Sequence, residues 1–203
     1  MKSEVRDLLT EELKDAYSAE KQALRCMQKA LRKASAEALR EGIQMHVEQT
    51  QVQIERIEQV MEKMSVRPGR KVCEAMRGLV EEAQHEIEEH DEKGPILDLV
   101  IVAGMQRIEH YEIAAYGTDV ALAEALGEKE VADLLSQTLE EEKQTDLKAD
   151  RSDTEGHHAG GARRRGGRWR RRTRGRSVRR AAQDCLNKSS TQLRPRAPTR
   201  FGP

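Results

Sequence analysis

Buried carboxylates are the residues of this sequence that could carry chemistry. If residues 3–33 form one helix, with successive residues about 100° apart, an apolar stripe runs along it and Glu20 lies in the middle of that stripe. A lone buried carboxylate costs several kcal/mol unless it is paired, hydrogen-bonded or bound to a metal. The sequence therefore predicts that other helices supply partners for Glu20.

The other long amphipathic segments do carry inward polar groups. His46 falls on the stripe of residues 36–64, together with Thr50 and Gln53. In residues 96–126 the stripe includes Glu112, and Glu109 lies at its edge one turn earlier. In the last helix Glu142 is central. The candidate metal ligands are Glu20, His46, Glu109, Glu112 and Glu142.

Carboxylates and an imidazole that project into a helical bundle are typical of a di-iron or di-manganese site, because hard oxygen ligands suit these ions. The usual set has one Glu from each of two helices and Glu-x-x-His from the other two. This chain differs, with Glu109-x-x-Glu112 and no histidine after Glu142. A second interpretation stays open: inward acids also form ion pairs with Lys or Arg, or reach water.

Helix ends divide the sequence into four long helices and one shorter helix. Ser35 is a predicted cap of the second helix, Pro68-Gly69 and Gly94-Pro95 break the chain, and Gly127 is a helix stop. The shorter helix, about 71–91, connects two antiparallel hairpins, and no strand pattern occurs. The predicted fold is an all-α, ferritin-like four-helix bundle with an extra crossover helix.

Composition divides the chain near position 150. Residues 1–150 hold 20 Lys or Arg and 33 Asp or Glu, a net charge of −13, whereas residues 151–203 hold 16 and 3, a net charge of +13. The first part is rich in strong helix formers. We therefore predict a bundle domain at 1–149 and a disordered, Arg/Gly-rich tail at 150–203.

Targeting and membrane segments are not expected. The start, MKSEVRDLL, lacks the apolar stretch of a signal peptide, so a cytoplasmic protein without membrane contact is predicted. Cys26, Cys73 and Cys185 are scattered and odd in number, which argues against a disulfide framework or a Cys-x-x-Cys motif. Cys26 and Cys73 are predicted to be buried, passive thiols.

Several segments resemble the YciE/YciF-like bacterial stress proteins, a branch of the ferritin-like superfamily. The similar segments are DAYSAEKQ, HVEQTQVQIERIEQV, KVCEAMRGLVEEA (71–83), QRIEHYEIAAYGT (106–118) and LSQTLEEEKQTD (135–146). The resemblance covers roughly residues 5–149. It implies a ferritin-like fold, a homodimer, a di-metal centre at the five candidate ligands and a role in stress responses, without an established substrate.

Gln49 departs from the pattern of this family, because many relatives have Glu at that position. An amide is a neutral ligand and binds metal more weakly than a carboxylate. Gln49 therefore predicts a lower metal affinity than a glutamate at this position would give. Tyr17 and Tyr111, at the stripe edges of their helices, are interpreted as packing residues with satisfied hydroxyls, and the alternative is a role as electron or hydrogen-bond donors.

The tail allows more than one interpretation. Residues 163–180 contain eleven arginines, one Trp169 and no acid, which is typical of weak, charge-driven nucleic-acid binding. The tail could also lie on the acidic bundle. Arginine makes up 15 of its 16 basic residues, so a frameshift-like extension read from GC-rich DNA is another explanation. Each interpretation makes the tail dispensable for folding.

Three classes of function follow. The leading hypothesis is a metal-binding stress protein, with an oxidoreductase that consumes oxygen or peroxide as one form of it. The alternatives are a non-catalytic helical interaction or structural protein, and a bundle tethered to nucleic acid through residues 163–180. Iron content per chain separates the first from the second, and salt-sensitive DNA binding identifies the third.

Overall fold

Five α-helices make up the described part of the chain. The structure is a computed structural model that describes residues 2–90 and 92–156, and for residues 148–156 it describes the backbone helix only. The helices are α1 (Lys2–Lys33), α2 (Glu37–Lys63), α3 (Glu74–Glu89), α4 (Pro95–Leu126) and α5 (Lys129–Gly156). No strand occurs among these residues. The predicted all-α class is confirmed.

The four long helices enclose one core. Helix α1 packs against α2 and α4, and α5 packs against the same two helices. Helix α3 packs on α1 and α4. It lies between the hairpin α1–α2 and the hairpin α4–α5 in the chain, so the predicted crossover helix between two hairpins is confirmed.

The start of α2 corrects one prediction. Ser35 does not cap this helix, because the N-cap residue is Ala36, which makes no capping hydrogen bond with its side chain. Instead, the Asp98 carboxylate on α4 accepts hydrogen bonds from the backbone N–H groups of Ser35 and Ala36 at 2.8 and 3.0 Å, and from the Ser35 hydroxyl at 2.6 Å. Burial opposes ionisation of Asp98, but these bonds lower its pKa. A neighbouring helix thus supplies the cap.

Two glycines matter for the packing of α4. Gly127 ends this helix in the left-handed conformation, with φ of 80°, which favours glycine over residues with a side chain. Gly104 faces α3, where a Cβ atom would lie 3.0 Å from the Cβ of Ala83. The missing side chain therefore allows α3 to pack closely on α4.

The buried apolar residues form two clusters. One contains Ala19 to Ala30 of α1, Ala34 just after this helix, Ile43 and Val47 of α2, and Leu97 to Ile108 of α4, with α3 packed onto it. The other contains Leu9 to Ala16 of α1, Ile57 to Met61 of α2, Tyr116 to Ala123 of α4, and Val131 to Leu135 of α5. Each range here names the first and last cluster members on its helix.

Two predictions concern membranes and the tail. None of the described helices is long and apolar enough to cross a membrane. The basic segment 163–180 lies outside the described residues, and the boundary predicted near 150 stays a prediction. Helix α5 ends at Gly156.

Candidate metal centre

A layer of buried polar side chains interrupts the apolar core. We call this set the polar layer, and each member is at most 7% exposed. Its positions on α1, α2 and α4 fall at the junction of the two apolar clusters. Its members are Glu20, His46, Thr50, Gln53, Glu109, Glu112, Thr138 and Glu142. The burial of Glu20, His46, Glu112 and Glu142 agrees with their predicted inward orientation, and Glu109, predicted at the edge of its stripe, is buried as well.

Three of the candidate ligands lie together. One ligand atom each from His46, Glu109 and Glu142 falls within 4.8 Å of the other two. His46 Nε2 is 2.6 Å from Glu109 Oε1. Three different helices, α2, α4 and α5, therefore bring an imidazole and two carboxylates to one point.

The other two candidate ligands adjoin this group on α1 and α4. Glu20 Oε1 accepts a 2.5 Å hydrogen bond from the hydroxyl of Tyr116, which is itself 1% exposed. Glu142 is close enough to raise the pKa of Glu20, and the charges of Glu20, Glu142 and Glu109 all raise the pKa of Glu112. Glu20 and Glu112 do not belong to the three-residue group within 4.8 Å.

Most of these carboxylate oxygens lack a hydrogen-bond donor. Among the described residues, Glu20 Oε2, Glu109 Oε2, Glu112 Oε1 and both oxygens of Glu142 are buried without one. The ion pairs of the described residues link none of the four acids to Lys or Arg. Pairing with Lys or Arg therefore does not explain these acids, whereas protons or metal ions do. The donor set fits a pair of iron or manganese ions.

Burial and mutual repulsion raise the pKa values of the four acids. Loss of hydration is the largest cause, and it raises the pKa of Glu20 and of Glu109 to about 8 and that of Glu142 to about 9. The pKa of Glu112 is raised well above its ordinary value by the same two causes. Glu109 and Glu142 lie close enough to share a proton. Without metal, the layer therefore holds protons at neutral pH.

Arg56 lies beside the polar layer and pairs with Glu141 rather than with one of the four buried acids. Arg56 of α2 donates to both carboxylate oxygens of Glu141 at 2.8 and 2.9 Å, and to the Thr138 hydroxyl at 2.7 Å. Gln53 also donates to Glu141, at 3.2 Å. Burial opposes ionisation of Glu141, but these bonds lower its pKa. Glu141 is thus held at the α2–α5 contact, next to Glu142 but paired with a cation.

Gln49, the departure from the family pattern, also points to this contact. It is half-buried, and its amide helps to lower the pKa of Glu141. Glu48 and Glu140 are exposed. The amide of Gln49 therefore stabilises the Glu141 carboxylate, and Gln49 is not part of the three-residue group.

The two tyrosines singled out from sequence have satisfied hydroxyls, as predicted. Tyr17 donates to Glu58 at 2.9 Å. Tyr111 donates to Asp15 at 2.8 Å and lies 2.9 Å from the sulfur of Cys73. Cys26 and Cys73 are both buried, and burial raises the pKa of each thiol, so the prediction of passive thiols agrees with the structure.

Tyr116 and Arg56 were not predicted from the sequence. Tyr116 follows Glu112 by one helical turn, so the same periodicity would place it on the stripe, but the partner of its hydroxyl on α1 depends on tertiary packing. Arg56 carries a charge that the pattern treats as solvated. Its guanidinium reaches α5 only because α2 and α5 are neighbours.

Comparisons with known proteins agree with this architecture. The family described as "Domain of unknown function (DUF892)" matches residues 4–153. Protein YciF of Escherichia coli (strain K12) is 48% identical over 145 residues, which are 71% of this chain and 87% of YciF. The crystal structure of the E. coli stress protein YciF has a TM-score of 0.70 at 45% identity, over 74% of this chain and 94% of that chain. The structure of YcfI of Rhodopseudomonas palustris, described as "a putative structural protein", has a TM-score of 0.69 at 40% identity, over 72% of this chain and 92% of that chain.

Proposed function

We propose that this chain, which belongs to the DUF892 family and is a homologue of the E. coli stress protein YciF, binds two iron or manganese ions in its polar layer and uses them on oxygen or peroxide. One observation carries the proposal: apart from the proton that Glu109 and Glu142 can share, five buried carboxylate oxygens have no hydrogen-bond donor. A protein core rarely retains such groups without a ligand or a functional reason. The bundle is, on this proposal, a member of the ferritin-like superfamily.

The five candidate ligands would contribute two kinds of donor atom. Glu20, Glu109, Glu112 and Glu142 would bind the ions with negative charge, and His46 would add a nitrogen ligand. Bound Fe(II) would supply the electrons for reducing oxygen or peroxide. The apolar clusters flank the layer, whose side chains are at most 7% exposed. Because the carboxyls hold protons without metal, metal binding releases protons from them.

Metal analysis of protein loaded with Fe(II) under anaerobic conditions tests this proposal. We expect about two ions per chain after removal of loosely bound metal. Glu142→Gln should reduce this number, because Glu142 is buried in the layer, whereas the matched control Glu140→Gln changes an exposed acid on the same helix and should not. Equal metal content in the two variants, or no bound metal in the unmodified chain, would contradict the proposal.

Consumption of oxygen and of hydrogen peroxide by the Fe(II)-loaded protein tests the chemical part. We expect the loss of oxidant to follow metal content across Glu142→Gln and Glu140→Gln. Bound metal without oxidant consumption would limit the function to metal binding.

A second candidate function is a non-catalytic structural role. The description of YcfI as "a putative structural protein" favours it. It predicts that the buried acids stay protonated and bind no metal. The metal analysis above therefore distinguishes the two functions.

The homodimer and the nucleic-acid contact are also proposals. Met45 and Val52 lie two turns apart on one face of α2, at 60% and 52% exposure, and a second copy of the chain is their proposed partner. Sedimentation analysis should show a dimer that Val52→Glu weakens. DNA binding through 163–180 should fall steeply between low and high salt, as expected for contacts to phosphate.

A further inference from the structure

We propose that the two ions bind at unequal subsites and that Tyr116 positions Glu20 as a ligand of the weaker subsite, which contains carboxylates only. This inference rests on the proposed function and goes beyond it, because it assigns an order of binding and a role to a residue outside the ligand set. Tyr116 is a positioning residue here, since it acts on the metal through Glu20.

The stronger subsite is the group of His46, Glu109 and Glu142. Its three ligand atoms already lie within 4.8 Å of one another, so little movement is needed to surround one ion. The imidazole nitrogen and the Glu109 oxygen are 2.6 Å apart. A nitrogen donor together with two carboxylates binds Fe(II), Mn(II) or Co(II) without rearrangement of the helices.

The weaker subsite is formed by Glu20 and Glu112, which lie outside that three-residue group. No second imidazole is available to it from the described residues, since His85, His90 and His110 are all exposed. Symmetric di-metal bundles give each ion its own histidine. This chain gives the only buried histidine of its described part to one ion.

The hydrogen bond from Tyr116 determines how Glu20 can bind. Oε1 of Glu20 accepts from the Tyr116 hydroxyl, while Oε2 is buried without a donor. One oxygen is therefore occupied and the other is free for an ion, so Glu20 would bind through Oε2 alone. A hydrogen bond of this kind fixes the orientation of a ligand, and its loss typically lowers metal affinity by about 10- to 100-fold.

Titration with Co(II) tests the inference on the full chain. Two stepwise affinities should appear, and the paramagnetically shifted N–H signal of the His46 ring should reach full intensity with the first ion. The NMR signal is needed because repulsion between two ions separates the binding steps even when the subsites are alike. A signal that grows equally with both ions would overturn the inference.

Tyr116→Phe is the decisive variant. The second Co(II) affinity should fall by about 10-fold or more, while the first changes by less than about twofold. Tyr111→Phe is the matched control, because Tyr111 lies on the same helix but its hydroxyl contacts Asp15 and Cys73 instead of a candidate ligand. This control should leave both affinities unchanged. Equal losses at both steps, or no loss in Tyr116→Phe, would contradict the role of Tyr116.

A second variant keeps the inference testable if Tyr116→Phe does not fold. Glu20→Gln keeps the shape of the side chain and an oxygen that can accept from Tyr116, and it should lose the second ion while retaining the first. Failure of the inference is distinguishable from failure of the proposed function. Two ions that bind independently of Tyr116 overturn only the inference, whereas absence of Co(II) from the unmodified protein overturns both.

Discussion

The two apolar clusters and the polar layer between them differ in what their burial achieves. Leu9, Leu13 and Leu135 are fully buried among other apolar groups, so their burial stabilises the bundle. Glu20, Glu112 and Glu142 are just as buried, but their carboxyls lose hydration and repel one another. The clusters therefore supply the stability that allows the layer to hold groups suited to chemistry rather than to packing.

Truncation of an apolar residue should have the largest effect on stability. Leu13→Ala removes a side chain that is 0% exposed and leaves a cavity, so we expect a loss of about 2–5 kcal/mol in the free energy of unfolding. Urea denaturation of the metal-free protein measures this loss. The contrasting variant in the polar layer is Glu112→Ala, which should leave the metal-free protein as stable as before or more stable, because the cost of burying this carboxyl and keeping it protonated at neutral pH is removed. A similar loss in both variants would remove the contrast between the two regions.

The pH dependence of stability should be opposite with and without metal. The folded-state pKa values of Glu20, Glu109 and Glu142 are raised to about 8–9 from an ordinary value of 4.5. The folded protein therefore holds more protons than the unfolded chain, and the metal-free protein should lose stability between pH 6 and 9, by about 3 kcal/mol for each of these groups. Metal displaces these protons, so the Mn(II)-loaded protein should gain stability over the same range.

Thermal melting of chelator-treated and Mn(II)-loaded samples from pH 6 to pH 9 measures both trends. The exposed-acid variant Glu140→Gln serves as the control and should behave like the unmodified chain. A metal-free protein whose melting temperature does not fall toward pH 9 would show that the acids are ionised and solvated.

Asp119 offers a smaller test of the same comparison, because it is a buried acid outside the polar layer. It is 0% exposed, both of its oxygens lack a donor, and burial with the charges of Glu12 and Asp15 raises its pKa well above the ordinary value. We expect Asp119→Asn to stabilise the metal-free protein at pH 8, because the asparagine needs no bound proton to stay neutral. The gain should shrink toward pH 4, where the unfolded chain is protonated too.

Metal content distinguishes Asp119 from the layer. The Asp119→Asn variant should bind as many ions as the unmodified chain, because Asp119 is seven residues beyond Glu112 on α4, about 10 Å along the helix axis. Loss of metal in this variant would extend the site into the apolar cluster around Tyr116.

Removal of the basic tail should have the smallest effect. Residues 157–203 lie outside the described residues, and the prediction follows from their charge and composition alone. Truncation after Gly156 should change the free energy of unfolding by less than about 1 kcal/mol, the usual scale of a peripheral change. Urea denaturation of full-length and truncated protein measures it, and a larger loss would show that the tail packs on the bundle.

Helical periodicity predicted those residues of the candidate site whose inward orientation depends only on the helix that carries them. Glu20, Glu112 and Glu142 were identified because each lies in phase with apolar neighbours on its own helix. The partners between helices could not be predicted in this way. The bond from Tyr116 to Glu20, the pairing of Arg56 with Glu141 and the cap that Asp98 supplies to α2 all depend on which helices are neighbours.

The same limit explains the error at Ser35. A serine before an amphipathic segment is a good local capping signal, but the Asp98 carboxylate provides two charge-assisted acceptor oxygens and takes that role from another helix. The sequence pattern thus predicted the start of α2 to within two residues. The contact between helices determined which group accepts the hydrogen bonds of the backbone N–H groups there.

Anomalous X-ray scattering from crystals grown with Mn(II) tests the central claim most directly, since it locates the ions without reference to activity. We predict two manganese peaks in the polar layer, the first beside His46, Glu109 and Glu142 and the second beside Glu20 and Glu112, with the second peak weaker at limiting Mn(II). Manganese found only at exposed acids such as Glu48 and Glu140, or no peak within the core, would contradict the account.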